Sequence, residues 1–395
     1  MKQKGQRAAG RRRGAGASAE AAPRTFPWKG PIWEAIRFQE EPLAKLRGAV
    51  EAGRLPHAIL LWGPPGVGKL RTAQGLSQAL LCEAPSRPCG ICRACTKVAR
   101  LLHPDVHILR PLKAREEETD ATRIDAYVSN PFASLEATPP ASVGIDRIRR
   151  IKEESSKTLV EGRCRTLIIP QADLMTQEAA NAALKLIEEP KGETYLILTT
   201  SDVKRILPTV ASRCLRVAFR PLPAPFLEET VSRAAGVPPE AARLAAALAQ
   251  GSLPGSLELA GDDLVGTRDE VLDLVAPAGG DLRRVLQRAE AWGPRWNAEA
   301  ARSAAGFLGL WQQDLLRLAT GDREGRIIHS DRADRLRKEA EGISLGEIRR
   351  RLELLEEMVE AVETYVNPQL ALRAFLMAWE TGEMSDRMFR PIEPQ

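Results

Sequence analysis

Residues 57–74 read HAILLWGPPGVGKLRTAQ, and Gly63, Gly66, Gly68 and Lys69 fall on the spacing of a phosphate-binding loop. In such a loop the backbone N–H groups wrap the phosphates, the Lys reaches the β- and γ-phosphates, and the hydroxyl of the next residue holds Mg²⁺. Here the next residue is Leu70, which offers no oxygen. Thr72 lies two positions on, roughly 200° around a helix of 3.6 residues per turn, and is a poor substitute. The second metal partner and its neighbouring Glu belong at the end of the next core strand. That strand runs LIIPQAD, so Pro170 and Gln171 stand where both carboxylates should be. Asp173 lies beyond the strand end and is expected to cap the following turn. Two readings of the loop stay open: it binds ATP or ADP without turning it over, or it is an empty relic kept for its strand-to-helix turn. Hydrolysis by this chain is not expected.

Cys82, Cys89, Cys92 and Cys95 form C-x6-C-x2-C-x2-C directly after the helix of the loop. Four thiolates at this spacing can close a tetrahedron around Zn²⁺ with no open position for water or substrate, so the site would be structural. An iron–sulfur centre and free thiols are the alternatives; disulfides are not expected in the cytoplasm. Cys164 and Cys214 stand apart as small, semi-buried residues, and His103 and His107 lie nearby although the cluster already supplies four ligands. In LPTVASRCLR (207–216), Arg213 sits between Ser212 and Cys214. It is either a surface charge in an ion pair or an arginine that reaches out of its own subunit to a neighbour's phosphate.

The elements that must position these residues can be read from hydrophobic patterning. HAILLW, TLIIP (166–170) and YLILTT (195–200) are buried strands, the stretch through Leu81 has helical spacing, and EAANAALKLIEEP (178–190) is an amphipathic helix stopped by Pro190. Strands alternating with helices predict an α/β domain, a parallel sheet with helices on both faces. Residues 111–142, with mixed charge and NPFASLEATPPAS, read as an insertion or long loop outside the core. Beyond about residue 222 no strand is expected. The Ala- and Leu-rich segment 225–260 reads as a small helical unit ending near the GSLPGS turn, and a second all-helical region begins at about residue 295.

A chain of 395 residues, 44% hydrophobic and 28% charged, suggests two or three domains. No apolar run reaches the roughly 20 residues that span a bilayer, and no apolar segment follows the charged N-terminus, so the cytoplasm is expected and a membrane partner is not. The net charge of +5 is uneven: residues 1–24 hold seven Lys and Arg against one Glu. Residues 1–25 should be a disordered basic tail, read as solubilising, as an arm touching nucleic acid, or as a transit peptide.

Together, GRLPHAILLWGPPGVGK, the Cys cluster, HPD at 103–105, AANAALKLIEEP, LPTVASRC and NPQLAL at 367–372 resemble bacterial clamp-loader subunits of the AAA+ class, and within it the delta-prime family of DNA polymerase III. The resemblance covers about residues 26–395 apart from the insertion. It implies an AAA+ nucleotide-binding-like domain over 26–221 carrying the zinc module (82–95), a helical lid over 222–292, and a helical collar over 293–395 that builds a ring of subunits. In that family the motor subunits keep the full loop and the acidic pair, whereas the delta-prime type is a stator that does not hydrolyse ATP; Leu70, Pro170 and Gln171 place this chain with the stator. The family's Ser-Arg-Cys motif falls on Ser212, Arg213 and Cys214, which makes Arg213 an arginine finger for an adjacent motor subunit. Gly255 stands where active relatives carry a nucleotide-sensing Arg. The helix at 145–154 matches one lining the chamber for primed DNA, where Arg147, Arg149, Arg150 and Lys152 would meet phosphates unless they form a solvated face. The implied partners are the gamma/tau ATPase and delta subunits, the sliding clamp and primed DNA, in a hetero-oligomeric ring within the polymerase III holoenzyme. The rivals are an ATPase motor of the same family and a zinc-containing nucleic-acid-binding protein with an incidental loop.

Overall fold

A computed structural model of the chain describes residues 30–113, 120–137, 141–261, 263–322, 326–364 and 367–383; the basic tail expected over 1–25 lies outside them. The order of elements is α1 (Glu40–Glu51), β1 (Ala58–Trp62), α2 (Lys69–Leu81), α3 (Arg93–Ala99), β2 (Val106–Ile108), α4 (Asp120–Ser129), α5 (Ile145–Ser155), β3 (Arg165–Ile169), α6 (Gln177–Glu188), β4 (Thr194–Thr200), α7 (Pro208–Ala211) and β5 (Leu215–Ala218). Helices alone follow: α8 (Ala224–Ala235), α9 (Pro239–Leu248), α10 (Leu253–Leu259), α11 (Leu264–Leu274), α12 (Leu282–Trp292), α13 (Ala298–Ala319), α14 (Ala333–Gly342), α15 (Leu345–Glu363) and α16 (Pro368–Thr381).

The five strands pair in parallel in the order β2-β3-β4-β1-β5, with β3 and β4 threaded between β2 and β1. Both faces of the sheet are buried. In β1, Ile59 and Leu61 enter one core while Ala58 and Leu60 enter the other, which is why the strand reads as an unbroken apolar run. The phosphate loop follows β1, Pro170 and Gln171 follow β3, and Thr200 ends β4, so these groups gather at the carboxyl edge where open α/β sheets place their ligands.

Among the helices that follow the sheet, a continuous apolar cluster joins Val231 and Leu244 to Phe307, Trp311, Leu354 and Phe375. The NPQLAL stretch is the start of α16: Asn367 Oδ1 accepts from the N–H groups of Gln369 (3.0 Å) and Leu370 (3.2 Å), and Pro368 sits where its missing N–H costs nothing. Among the described residues no helix is long and apolar enough to cross a membrane.

Two expectations are corrected. The 111–142 insertion is not a loop outside the core: it contains α4, and Tyr127, Val128, Leu135, Ala137 and Ala141 are buried. Its mixed charge hid an apolar edge that packs onto the nucleotide-binding side of the sheet. GSLPGS does not close a helical unit but opens α10, with the Ser252 hydroxyl accepting from Gly255 N at 3.2 Å.

Candidate functional site

The phosphate loop has the backbone its glycines predict, with φ of 143° at Gly63, 69° at Gly66 and 97° at Gly68. Lys69 opens α2 but turns back: its Nζ donates to Gly63 O at 2.7 Å and to Pro64 O. Burial lowers its pKa from 10.5 to about 8, opposed by the nearby carboxylates of Glu136 and Asp173. Leu70 packs against the sheet core, and the Thr72 hydroxyl bonds back to Gly68 O at 3.0 Å, so neither presents an oxygen to a metal ion.

Gln171 adopts a left-handed backbone (φ 48°) just beyond β3, and its amide is engaged at both ends: Oε1 accepts from Ala137 N at 2.6 Å and Nε2 donates to Ala137 O at 2.9 Å. Asp173 is not the cap expected of it; it accepts from the Thr200 hydroxyl at 2.6 Å, while Thr176 caps α6 through Ala179 N. Strand β4 ends beside this turn, and a buried hydroxyl takes the carboxylate before the turn can use it.

A second tie holds the insertion to the loop's helix. Arg71, buried, donates through Nη2 to Tyr127 O (2.6 Å) and Asn130 O (3.0 Å), with its guanidinium 3.5 Å from the centre of the Tyr127 ring. Sequence reasoning passed over Arg71 and Tyr127 because an Arg on the inward side of a helix shows its partners only once a distant segment is docked. From the other side, α10 closes on the loop: Leu253 N meets Gly66 O at 3.4 Å, and a Cβ at Gly66 would lie 2.0 Å from Ser252 Oγ. Gly255, in the place of a sensing Arg, has no side chain to send toward the loop. The cavity left among these elements is about 180 Å³, lined by Lys69, Tyr127, Phe132, Leu135, Gln171 and Pro254 among others.

At the far end of α2 the four cysteine sulfurs lie within 4.8 Å of one another, with Cys82 and Cys92 4.0 Å apart. A regular tetrahedron with Zn–S bonds of about 2.3 Å has edges of about 3.8 Å, so the set can hold a metal ion such as zinc. Backbone N–H groups already point at sulfur: Cys89 N at Cys82, Cys92 N at Cys89 and Cys95 N at Cys92, at 3.4, 3.3 and 3.4 Å. Burial opposes ionisation of Cys89, but the N–H groups of Ile91 and Cys92 bring its pKa down to about 7; burial pushes Cys82 and Cys95 up. The module is locked to the loop's helix by glutamines, Gln74 Nε2 donating to Val98 O and Ala99 O and Gln78 Nε2 to Cys95 O. His103 and His107 do not join the cluster.

Arg213 stands between α7 and β5, with Ser212 exposed beside it and Cys214 half-buried. Its Nε meets Glu188 Oε1 at 2.6 Å and its Nη1 donates to Thr209 O at 3.1 Å, with the two charged side chains 45% and 47% exposed. It thus has the ion pair of a surface arginine, yet remains open to solvent. On α5, Ile148 and Ile151 face the core while Arg149, Arg150 and Lys152 are exposed; Arg147 reaches Arg110 O and Arg149 pairs with Asp146 at 3.4 Å. The basic residues expected to meet DNA therefore lie outward, with Arg147 engaged within the chain.

The family described as DNA polymerase III, delta subunit, matches residues 38–223. The chain is 31% identical over 249 residues to the DNA polymerase III subunit delta' of Bacillus subtilis, covering 62% of this chain and 66% of that protein. It is 30% identical over 238 residues to the subunit delta' of Escherichia coli, covering 60% and 61%. A gamma/tau subunit of Mycobacterium bovis matches 197 residues at 29%, covering 49% of this chain and 30% of that protein. The chain thus spans just under two thirds of the length of these two delta' relatives. The family match takes in the degenerate loop, the cysteine cluster and the Ser-Arg-Cys turn, and over residues 38–223 the chain is similar to delta' subunits of DNA polymerase III.

Proposed function

We propose that this chain is a non-hydrolysing clamp-loader subunit that completes a ring with gamma/tau-type ATPases and a delta subunit and donates Arg213 in trans to a neighbour's γ-phosphate. The observation that carries this reading is where Arg213 stands. Phe219 N bonds to Trp62 O beside the phosphate loop, and Arg213 lies six residues earlier, at the opposite edge of the sheet. Strand β5 between them, Leu215–Ala218, rises roughly 13 Å at about 3.3 Å per residue, well beyond the reach of an arginine side chain. Arg213 cannot serve its own loop. A second subunit docked on that edge would bring a phosphate to it, and a planar guanidinium is suited to the charge that develops on a transferring phosphoryl group.

The chain's own loop supports the other half of the reading. At the positions where motor subunits hold Mg²⁺ and orient water, Leu70 and Pro170 carry no side-chain oxygen, the Gln171 amide is bonded to Ala137, and Asp173 is bonded to Thr200. The metal held by Cys82, Cys89, Cys92 and Cys95 would be Zn²⁺, which supplies a rigid cross-link between α2 and α3 and no chemistry. Residues 26–221 would form the AAA+ unit, 222–292 the lid and 293–395 the collar; Arg149, Arg150 and Lys152 would face primed DNA as the clamp is placed, in the cytoplasm.

Co-purification with the replication subunits from the native cell, followed by ATPase assay with and without this chain, tests the reading. The chain alone should show no turnover above background, while its omission should lower the clamp- and DNA-stimulated rate of the complex. Turnover by the isolated chain that Lys69→Ala abolishes would instead make it a motor subunit.

A further inference from the structure

A nucleoside triphosphate is the ligand that the loop's glycines imply, and the residues around the loop do not fit one. Sites that enclose small ligands usually offer about 300–1,000 Å³. Here the cavity beside the loop is about 180 Å³, and residues 131–136 form much of its wall.

We propose that residues 127–137 are an internal plug that occupies the nucleotide site and excludes nucleotide from it. The segment is fastened at both ends. Tyr127 and Asn130 accept from Arg71, near the start of the loop's own helix, and Ala137 exchanges two hydrogen bonds with Gln171, at the position where an active relative would carry a carboxylate. Between the fastenings Leu135 is buried, Phe132 lines the cavity, and Glu136 brings a negative charge into the field of the Lys69 ammonium, where a phosphate would otherwise bring its own. The Arg71 Nη2 group and the Gln171 side-chain amide take their partners from the plug. Each would exchange that partner for water if the segment swung away, so the closed state is favoured by the net worth of these hydrogen bonds, the larger for the charged Arg71.

The base of the insertion shows how to remove the plug without disturbing the sheet. Leu112 and Ser142 exchange backbone hydrogen bonds at 3.1 and 3.2 Å, so the two ends already lie side by side as in a hairpin. Residues 114–140 can therefore be excised and the ends joined by a two-residue Asn-Gly turn.

The plug's claim concerns binding by the isolated chain, and its outcome does not depend on the role of Arg213. The test is a titration with a fluorescent N-methylanthraniloyl-ATP, without Mg²⁺, of the full chain and the excised chain. A site open in only about 10% of molecules or fewer appears at least tenfold weaker than the same site held open. The excised chain should therefore bind at least about tenfold more tightly than the full chain, and Lys69→Ala in the excised chain should reverse the gain. Equal affinity in the two chains, or no gain in an excised chain that keeps its metal content and melting profile, would overturn the proposal. If the excised chain does not fold, the double variant Glu136→Ala, Gln171→Ala carries the test: it should bind about threefold or more tightly than the full chain, and affinity unchanged from the full chain overturns the plug.

Discussion

The two edges of the sheet have opposite fates. At the carboxyl edge the phosphate loop is closed over: Lys69 folds onto Gly63 and Pro64, Ser252 and Pro254 press on Gly66, and the insertion covers Lys69 and Arg71. At the amino edge, among the described residues, Arg213 meets the exposed Glu188 carboxylate and Thr209 O, and its side chain is 45% exposed. A catalytic centre divided between subunits needs both a loop that binds and an arginine that reaches. On the proposed reading, Arg213 is the reaching half, left open, and the binding half is filled by the chain's own packing, the arrangement expected of a subunit that serves its neighbour's chemistry.

Of the stability effects that separate the two edges, the largest should come from the four-cysteine cluster. Cys92 lies in the cluster at the far end of α2, so Cys92→Ala should lose the stoichiometric metal and several kcal/mol of folding free energy, on the order of what structural zinc supplies. Metal analysis and hydrogen exchange read it: exchange should rise through 69–99 on the closed side and stay unchanged over 208–214. Full metal content after two of the four cysteines are removed would show that the cluster is not the site.

Next in size is the dryness of the closed loop. The Lys69 pKa lies near 8 in the folded chain and at its ordinary 10.5 when unfolded. Below pH 8 both states carry the proton and the fold bears the cost of a buried ammonium. Between about 8 and 10.5 the unfolded state holds more protons, so stability rises with pH. Relative to Lys69→Met, the wild-type chain should gain about 3 kcal/mol across that window, at about 1.4 kcal/mol per pKa unit. Thermal melts from pH 7.5 to 10.5 check it, and a constant difference between the two proteins would mean that the loop is wet.

How much of this could be read from the chain depended on whether a residue's partner was local. Strands 58–62, 165–169 and 194–200 and the helix before Pro190 came within a residue or two of expectation, because burial on both faces writes an uninterrupted apolar run and proline ends a helix. Leu70, Pro170 and Gln171 stand where the spacing put them, at the start of the loop's helix and just beyond β3. Strands β2 and β5 went unread, since three or four residues are too few to show a period. The packing of residues 127–137 went unread for a different reason: the segment around α4 is polar and charged, and its partners Arg71, for Tyr127 and Asn130, and Gln171, for Ala137, lie 56, 59 and 34 residues away in the chain. The same distance hid Thr200 as the partner of Asp173.

The smallest effect should be at the open edge. The pair between Arg213 and Glu188 is largely solvated, so Glu188→Gln should change stability by less than about 1 kcal/mol. It also separates two jobs for the arginine. If Arg213 exists to pair with Glu188, removing either partner should have the same consequence for the assembled loader; if it exists for a neighbour's phosphate, Glu188→Gln should leave stimulated ATPase near wild type.

The most direct measurement is the clamp- and DNA-stimulated ATPase of a reconstituted loader carrying Arg213→Ala, alongside a check that all subunits are still present. The account predicts an intact complex in which the site beside this chain loses on the order of 10³-fold or more in rate, so that total stimulated turnover and clamp loading fall well below wild type. Arg213→Lys should also be impaired, because a single ammonium lacks the planar fork. Normal stimulated turnover and clamp loading by an intact Arg213→Ala complex would contradict the finger and leave this subunit a scaffold only.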